Sequence, residues 1–146
     1  MIYFDAAYIA KCYLNEPGGD RVRRLAASVP GLASCELARL EFACILQRHV
    51  RERQLKPREA REIWTDFRKD EEAGVWRWLP ADAALIIKAC DRVNRLGQRT
   101  FLRAGDALHL ACATEHGFTE VYTNDRHMLL AARFFNLAGV NVLETE

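Results

Sequence analysis

Four carboxylates hold the positions from which this chain could do chemistry: Asp5, Glu41, Asp106 and Asp125. Asp5 closes the apolar run "MIYFD" and Asp125 directly follows "EVYT". Asp106 opens a helical stretch within "RAGDALHL", and Glu41 lies just over one turn into the helix predicted by "CELARLEFACILQRH". Gathered at one edge, four such groups would repel one another, and some would have to stay protonated. Divalent cations remove that conflict. Carboxylate oxygens, with water completing an octahedron, suit Mg²⁺ or Mn²⁺. Such ions orient a phosphodiester, acidify a bound water and neutralise a leaving oxygen. The pattern points to phosphoryl chemistry and leaves RNA or DNA open.

Each acid also has a plain structural use. Asp5, Asp106 and Asp125 suit helix N-caps, worth about 1 kcal/mol each. Glu41 has no such use. Leu37, Leu40 and Cys44 recur at the spacing that lines one helical face, and Glu41 shares that face. A carboxylate buried without a partner costs about several kcal/mol. The structural alternatives are a salt bridge to Arg39 or Arg48, Arg48 being two turns away, or a different rotation of the helix.

The elements that must position these acids alternate along the chain. "MIYFD", "GLAS", "GVWRWLP", "EVYT" and "GVNVLE" read as strands. Between them "AAYIAKCYL", "DRVRRLAASV", the opening helix, a charged arm starting at Pro57, "ADAALIIKACDRVNRLG", "AGDALHLACATEHG" and "NDRHMLLAARFF" read as helices. That order predicts one domain over 1–146, an α/β class three-layer α/β/α sandwich around a mainly parallel central sheet. In such sheets ligands bind at the carboxyl ends of strands, near a topological switch point. The charged arm carries an apolar stripe of Ala60, Ile63, Trp64 and Phe67, a seam that could serve a second copy of the chain.

The 146 residues are 50% hydrophobic and 28% charged, a soluble balance. No apolar run approaches a membrane span and no secretory signal is visible, so the expected place is the cytoplasm, without a membrane partner. Net charge is +1, too small for a global basic field, yet 17 of the 21 basic residues are arginine, the side chain suited to bidentate phosphate contacts. Five cysteines without a Cys-x-x-Cys pair read as reduced thiols. No phosphate-cradling glycine loop and no Gly-x-Ser-x-Gly elbow is present.

"IYFDAAYIAKCYLNEPG", "CELARLEF", "RAGDALHLACA" and "VYTNDRHM", in this order and spacing, resemble the PIN-domain ribonucleases, in particular the VapC-type toxins of toxin–antitoxin pairs. The resemblance implies a PIN-like fold and a metal site formed by Asp5, Glu41, Asp106 and Asp125. It also implies Mg²⁺- or Mn²⁺-dependent endoribonuclease activity, an RNA substrate, a cognate antitoxin that occludes the acids, and a homodimer. Two departures stand out. Ala6 and Ala7 follow Asp5 where relatives often carry Ser or Thr, and Cys35 stands where Ser is common. Thr123 and Asn124 supply a hydroxyl and an amide beside Asp125 that could hold water or substrate. Arg103 and Arg126, next to site segments, are candidate phosphate clamps.

Three other readings compete. His109, Cys112 and His116 could present zinc ligands along one helix, although a hydrogen-bonded core histidine and a helix-terminal histidine explain the two imidazoles as well. A PIN-like module could bind RNA or protein without cutting. A receiver-type phosphoacceptor also gathers acids at strand ends, but fits the "DALHLA" and "TNDRH" segments poorly.

Overall fold

The computed structural model describes residues 1–143. Its strands are short: β1 (Ile2–Tyr3), β2 (Leu32–Cys35), β3 (Trp76–Leu79), β4 (Glu120–Tyr122) and β5 (Ala138–Val140). All ladders are parallel, β1 with β2, β2 with β3, and β4 with β5. A single parallel bridge, Phe4 to Tyr122, and the bond from the Asp5 amide to the Tyr122 carbonyl (3.2 Å) join the two sheets. The strands thus run β5-β4-β1-β2-β3. The chain leaves β1 toward β2 on one side and returns to β4 on the other, so β1 and β4 flank the switch point.

Seven helices, α1 (Ala6–Tyr13), α2 (Gly19–Ser28), α3 (Leu37–Arg51), α4 (Pro57–Glu72), α5 (Ala83–Val93), α6 (Ala104–Glu115) and α7 (Arg126–Ala131), are described, with a 3-10 turn at Ala132–Phe135. Alternation along the strands sorts them into two layers. Tyr3, Ala33, Cys35 and Leu79 face a core built with Leu110, Met128 and Phe135, on the side of α5 to α7. Phe4, Leu32 and Trp76 face a core built with Ile9, Phe42 and Phe67, on the side of α1 to α4. The three-layer α/β architecture is therefore as expected, with more helix than strand. The strand expected over "GVNVLE" is shorter, and its last residue, Glu144, lies outside the described residues. No helix among the described residues is long and apolar enough to cross a membrane.

Two expectations are corrected. Helix α3 is rotated from the predicted face: Ala38, Phe42 and Leu46 are buried, whereas Leu40 is 64% exposed and Cys44 is exposed. In the seam at Trp64 and Phe67, Phe67 is internal packing, while Trp64 stays partly exposed. Phe67 is fully buried and meets Tyr13, Phe42, Trp64 and Trp78 ring to ring at centroid distances of 4.9 to 5.9 Å. Phe67 therefore offers nothing to a second copy. Replacing Phe67 by Ala should lower unfolding free energy by about 3–5 kcal/mol in urea titrations and leave the mass in solution unchanged.

Candidate active site

Asp5 follows the first strand and is nearly fully buried, 4% exposed. It caps α1, its Oδ1 accepting from the Tyr8 amide at 2.8 Å. Its Oδ2 accepts a hydrogen bond from the Thr123 hydroxyl. Thr123, also fully buried, accepts in turn from the Asp125 amide at 2.9 Å. Asp125 caps α7, with Oδ1 accepting from the amides of His127 and Met128 at 2.7 and 3.0 Å. Capping and site membership are thus compatible: each cap uses one carboxylate oxygen. The Thr123 hydroxyl is committed between two acids, which makes it a positioning group. Asn124 and Arg126 are exposed beside it.

Asp106 is in the first turn of α6, whose N-cap is Arg103, so it is not itself the cap. Its carboxylate makes no hydrogen bond or ion pair among the described residues. Glu41 reaches the same place from α3. A Cβ added to Gly105 would stand 2.9 Å from Glu41 Oε1, so the carboxylate lies directly over a residue that has no side chain. Glu41 is partly exposed, and its partner is neither Arg39 nor Arg48. Arg39 pairs with Glu71 at 2.8 Å, while Glu41 Oε2 is 2.6 Å from His109 Nε2.

His109 is the residue the sequence reading undervalued. Its ring is fully enclosed in α6, with Nδ1 2.8 Å from the Tyr3 hydroxyl. The Cys35 amide donates to the same hydroxyl at 3.1 Å. With Tyr3 donating to Nδ1, the ring hydrogen sits on Nε2 and is donated to Glu41. A chain from the end of β2 through β1 and α6 therefore orients the acid on α3. No sequence spacing joins residues 3, 41 and 109, although an apolar helix face carrying one histidine was the available signal. His116 instead donates from Nδ1 to the Cys112 carbonyl at its own helix end, at 2.9 Å. The two imidazoles serve separate partners, which leaves the zinc reading without a shared centre.

The electrostatics describe acids crowded together. Burial pushes Asp5 up to about 6, against the hydrogen bonds from Thr123 and Tyr8, and the charge of Glu41 adds to the rise. Asp106 is raised by burial first, then by the charge of Asp125 and, more weakly, of Glu41, with His109 and then Arg103 opposing. Burial opposes the charged form of His109, but the hydrogen bond and charge of Glu41 outweigh it and raise the imidazole. Four mutually repelling oxygen donors fit a hard divalent cation by their chemistry. Among the described residues, no three His, Cys, Asp or Glu side chains stand grouped to hold a metal ion as they are. Asp5, Glu41 and Asp125 instead turn oxygens toward protein donors.

The PIN domain profile matches residues 2–133 of the sequence, and the chain belongs to the PIN-domain family. No curated protein matches it significantly in sequence. Solved structures share the fold. Mycobacterium tuberculosis VapC20, a sarcin-ricin loop cleaving toxin, superposes with a TM-score of 0.70 at 20% identity, over 90% of this chain and 95% of its own. VapBC2 from Rickettsia felis, bound to a DNA fragment from its promoter, gives 0.68 at 15% identity over 97% and 98%. FitAcB from Neisseria gonorrhoeae gives 0.67 at 18% over 97% of each chain.

The raised pKa of Asp5 has a consequence of definite sign. A carboxyl raised in the folded state contributes stability that is fully present below its ordinary value near 4 and lost as pH rises through about 6. Asp5→Asn keeps the cap and removes the charge. In EDTA, the variant should exceed the parent in stability at pH 7.5 by about 1–3 kcal/mol, with the difference vanishing near pH 4. Thermal melts at the two pH values measure it.

Proposed function

We propose that this protein is a metal-dependent endoribonuclease and the toxin of a toxin–antitoxin pair. The observation that carries the reading is the convergence of Asp5, Glu41, Asp106 and Asp125 on the switch point of a PIN fold. There, Thr123 ties the first acid to the last. RNA as the substrate is supported by the likeness to VapC20, a toxin that cleaves the sarcin-ricin loop. The four carboxylates are the side chains to hold one or two Mg²⁺ or Mn²⁺ ions, which would supply an acidified water and neutralise charge at the scissile phosphate.

The chain's own residues divide the remaining work. Asp5 and Asp125 are fixed by their caps and by Thr123, and Glu41 by His109. Asn124 offers an exposed amide beside Asp125. Arg103 and Arg126 are exposed at the two helix starts that carry Asp106 and Asp125, and can take phosphate oxygens on either side of the acids. The toxin–antitoxin assemblies among the structural relatives support a cognate antitoxin as partner, and an acidic pocket favours a cationic side chain from it. A homodimer working in the cytoplasm completes the reading. Light scattering at micromolar concentration should then give twice the chain mass.

Total RNA incubated with purified protein should give discrete fragments in Mg²⁺ or Mn²⁺, none in EDTA and none with Asp5→Asn. RNA that is bound but left whole by the parent protein would replace this reading with a non-cleaving RNA-binding module. A second variant separates site from scaffold. Gly105→Ala favours helix α6 by up to about 1 kcal/mol but displaces the Glu41 carboxylate. It should melt no lower than the parent and lose roughly tenfold or more in cleavage rate, about 1.4 kcal/mol of transition-state stabilisation.

A further inference from the structure

Phe101 and His127 form a ring pair at the rim of the acidic site. Phe101 lies in the segment between α5 and α6 and is 55% exposed, and His127 is exposed at the start of α7. Their rings meet edge to face with centroids 4.7 Å apart and planes at 63°. Both are registered to the acids. Phe101 is five residues before Asp106, and the His127 amide donates to Asp125 Oδ1 at 2.7 Å.

This pair differs from the other exposed side chains of similar size. Phe134 is covered by the Arg133 guanidinium at 4.8 Å, and the exposed residues of α5, Ile86, Ile87 and Val93, are aliphatic. Arg99 and Arg103, two residues either side of Phe101, and Arg126, the neighbour of His127, are exposed, and none is in an ion pair among the described residues. An open aromatic face, unpaired guanidinium groups and carboxylates suited to a cation meet at one rim. Unpaired nucleobases stack on such rings, while bases inside a duplex present no free face.

We propose that Phe101 and His127 are a stacking platform for one unpaired nucleobase of the RNA, which places the adjoining phosphodiester over the acids. The inference rests on the nuclease reading for its ligand class. The platform selects single-stranded or looped RNA over duplex, and is tolerant of base identity because every base has a π face.

The test uses a short phosphorothioate-linked single-stranded RNA carrying 2-aminopurine, titrated in Ca²⁺ so that the acids are neutralised. The parent protein should bind it and quench the fluorophore by stacking. Phe101→Leu, which keeps apolar bulk without a π face, should weaken binding roughly tenfold and abolish the quench, and Phe101→Tyr should restore both. Binding and quenching by Phe101→Leu equal to the parent would overturn the proposal, as would a parent protein that binds no single-stranded RNA. A loss confined to binding of a protein antitoxin would overturn it in favour of a protein-docking role. The nuclease reading fails separately: quenching without metal-dependent cleavage leaves the platform standing on a binding module, whereas cleavage insensitive to Phe101→Leu removes the platform alone.

Discussion

The Thr123 hydroxyl is the joint on which the site depends. It donates to Asp5 and accepts from the Asp125 amide, so one oxygen atom sets the distance between acids from the two sides of the switch point. The parallel bridge between Phe4 and Tyr122 brings these strand ends together, but a bridge one residue long cannot fix side chains. The hydroxyl does. It also supplies, from across the sheet, a polar group near Asp5 that the Ala6–Ala7 dipeptide lacks. In a fully buried setting such a bond is worth more than at the surface, because neither partner has water to turn to.

The remaining acids are held by different means, and the contrast explains the electrostatics. Asp5 is the most enclosed and the most raised, since its two hydrogen bonds only partly offset the loss of water. Asp106 is left without a hydrogen bond or ion pair among the described residues and feels Asp125. Glu41 leans on a buried imidazole that is itself oriented by Tyr3 and Cys35. The interior layer thus spends much of its polar inventory on carboxylates that oppose one another. That arrangement is costly for a fold and useful for a cation site.

Much of the fold could be read from the sequence, because short apolar runs ending in acids alternate with helical periodicity and clear turn residues. The positions of Asp5 and Asp125 at strand ends followed from that alternation. The rotation of α3 did not. Both the Leu37–Leu40–Cys44 stripe and the Ala38–Phe42–Leu46 stripe are apolar, and periodicity cannot say which one faces the sheet. Glu41 therefore does not share a core face: it is partly exposed, and its partner is His109, 68 residues away. Contacts that long-range leave no mark in spacing. Gly105 carried a faint signal, a glycine in the first turn of a helix where alanine would be preferred, and the close approach of Glu41 accounts for it.

The bond between Thr123 and Asp5 spans 118 residues. A loop of that length is closed late, after the local helices have formed, and its closure entropy is met only by contacts made at the end. During synthesis the amino-terminal strand and α1 to α4 can assemble while Asp106 and Asp125 are still inside the ribosome. The acidic centre then comes into being only once Asp106 and Asp125 have emerged, so a product stalled before them carries the first four helices without the centre. For the nuclease proposed above, the order of synthesis is itself a safeguard.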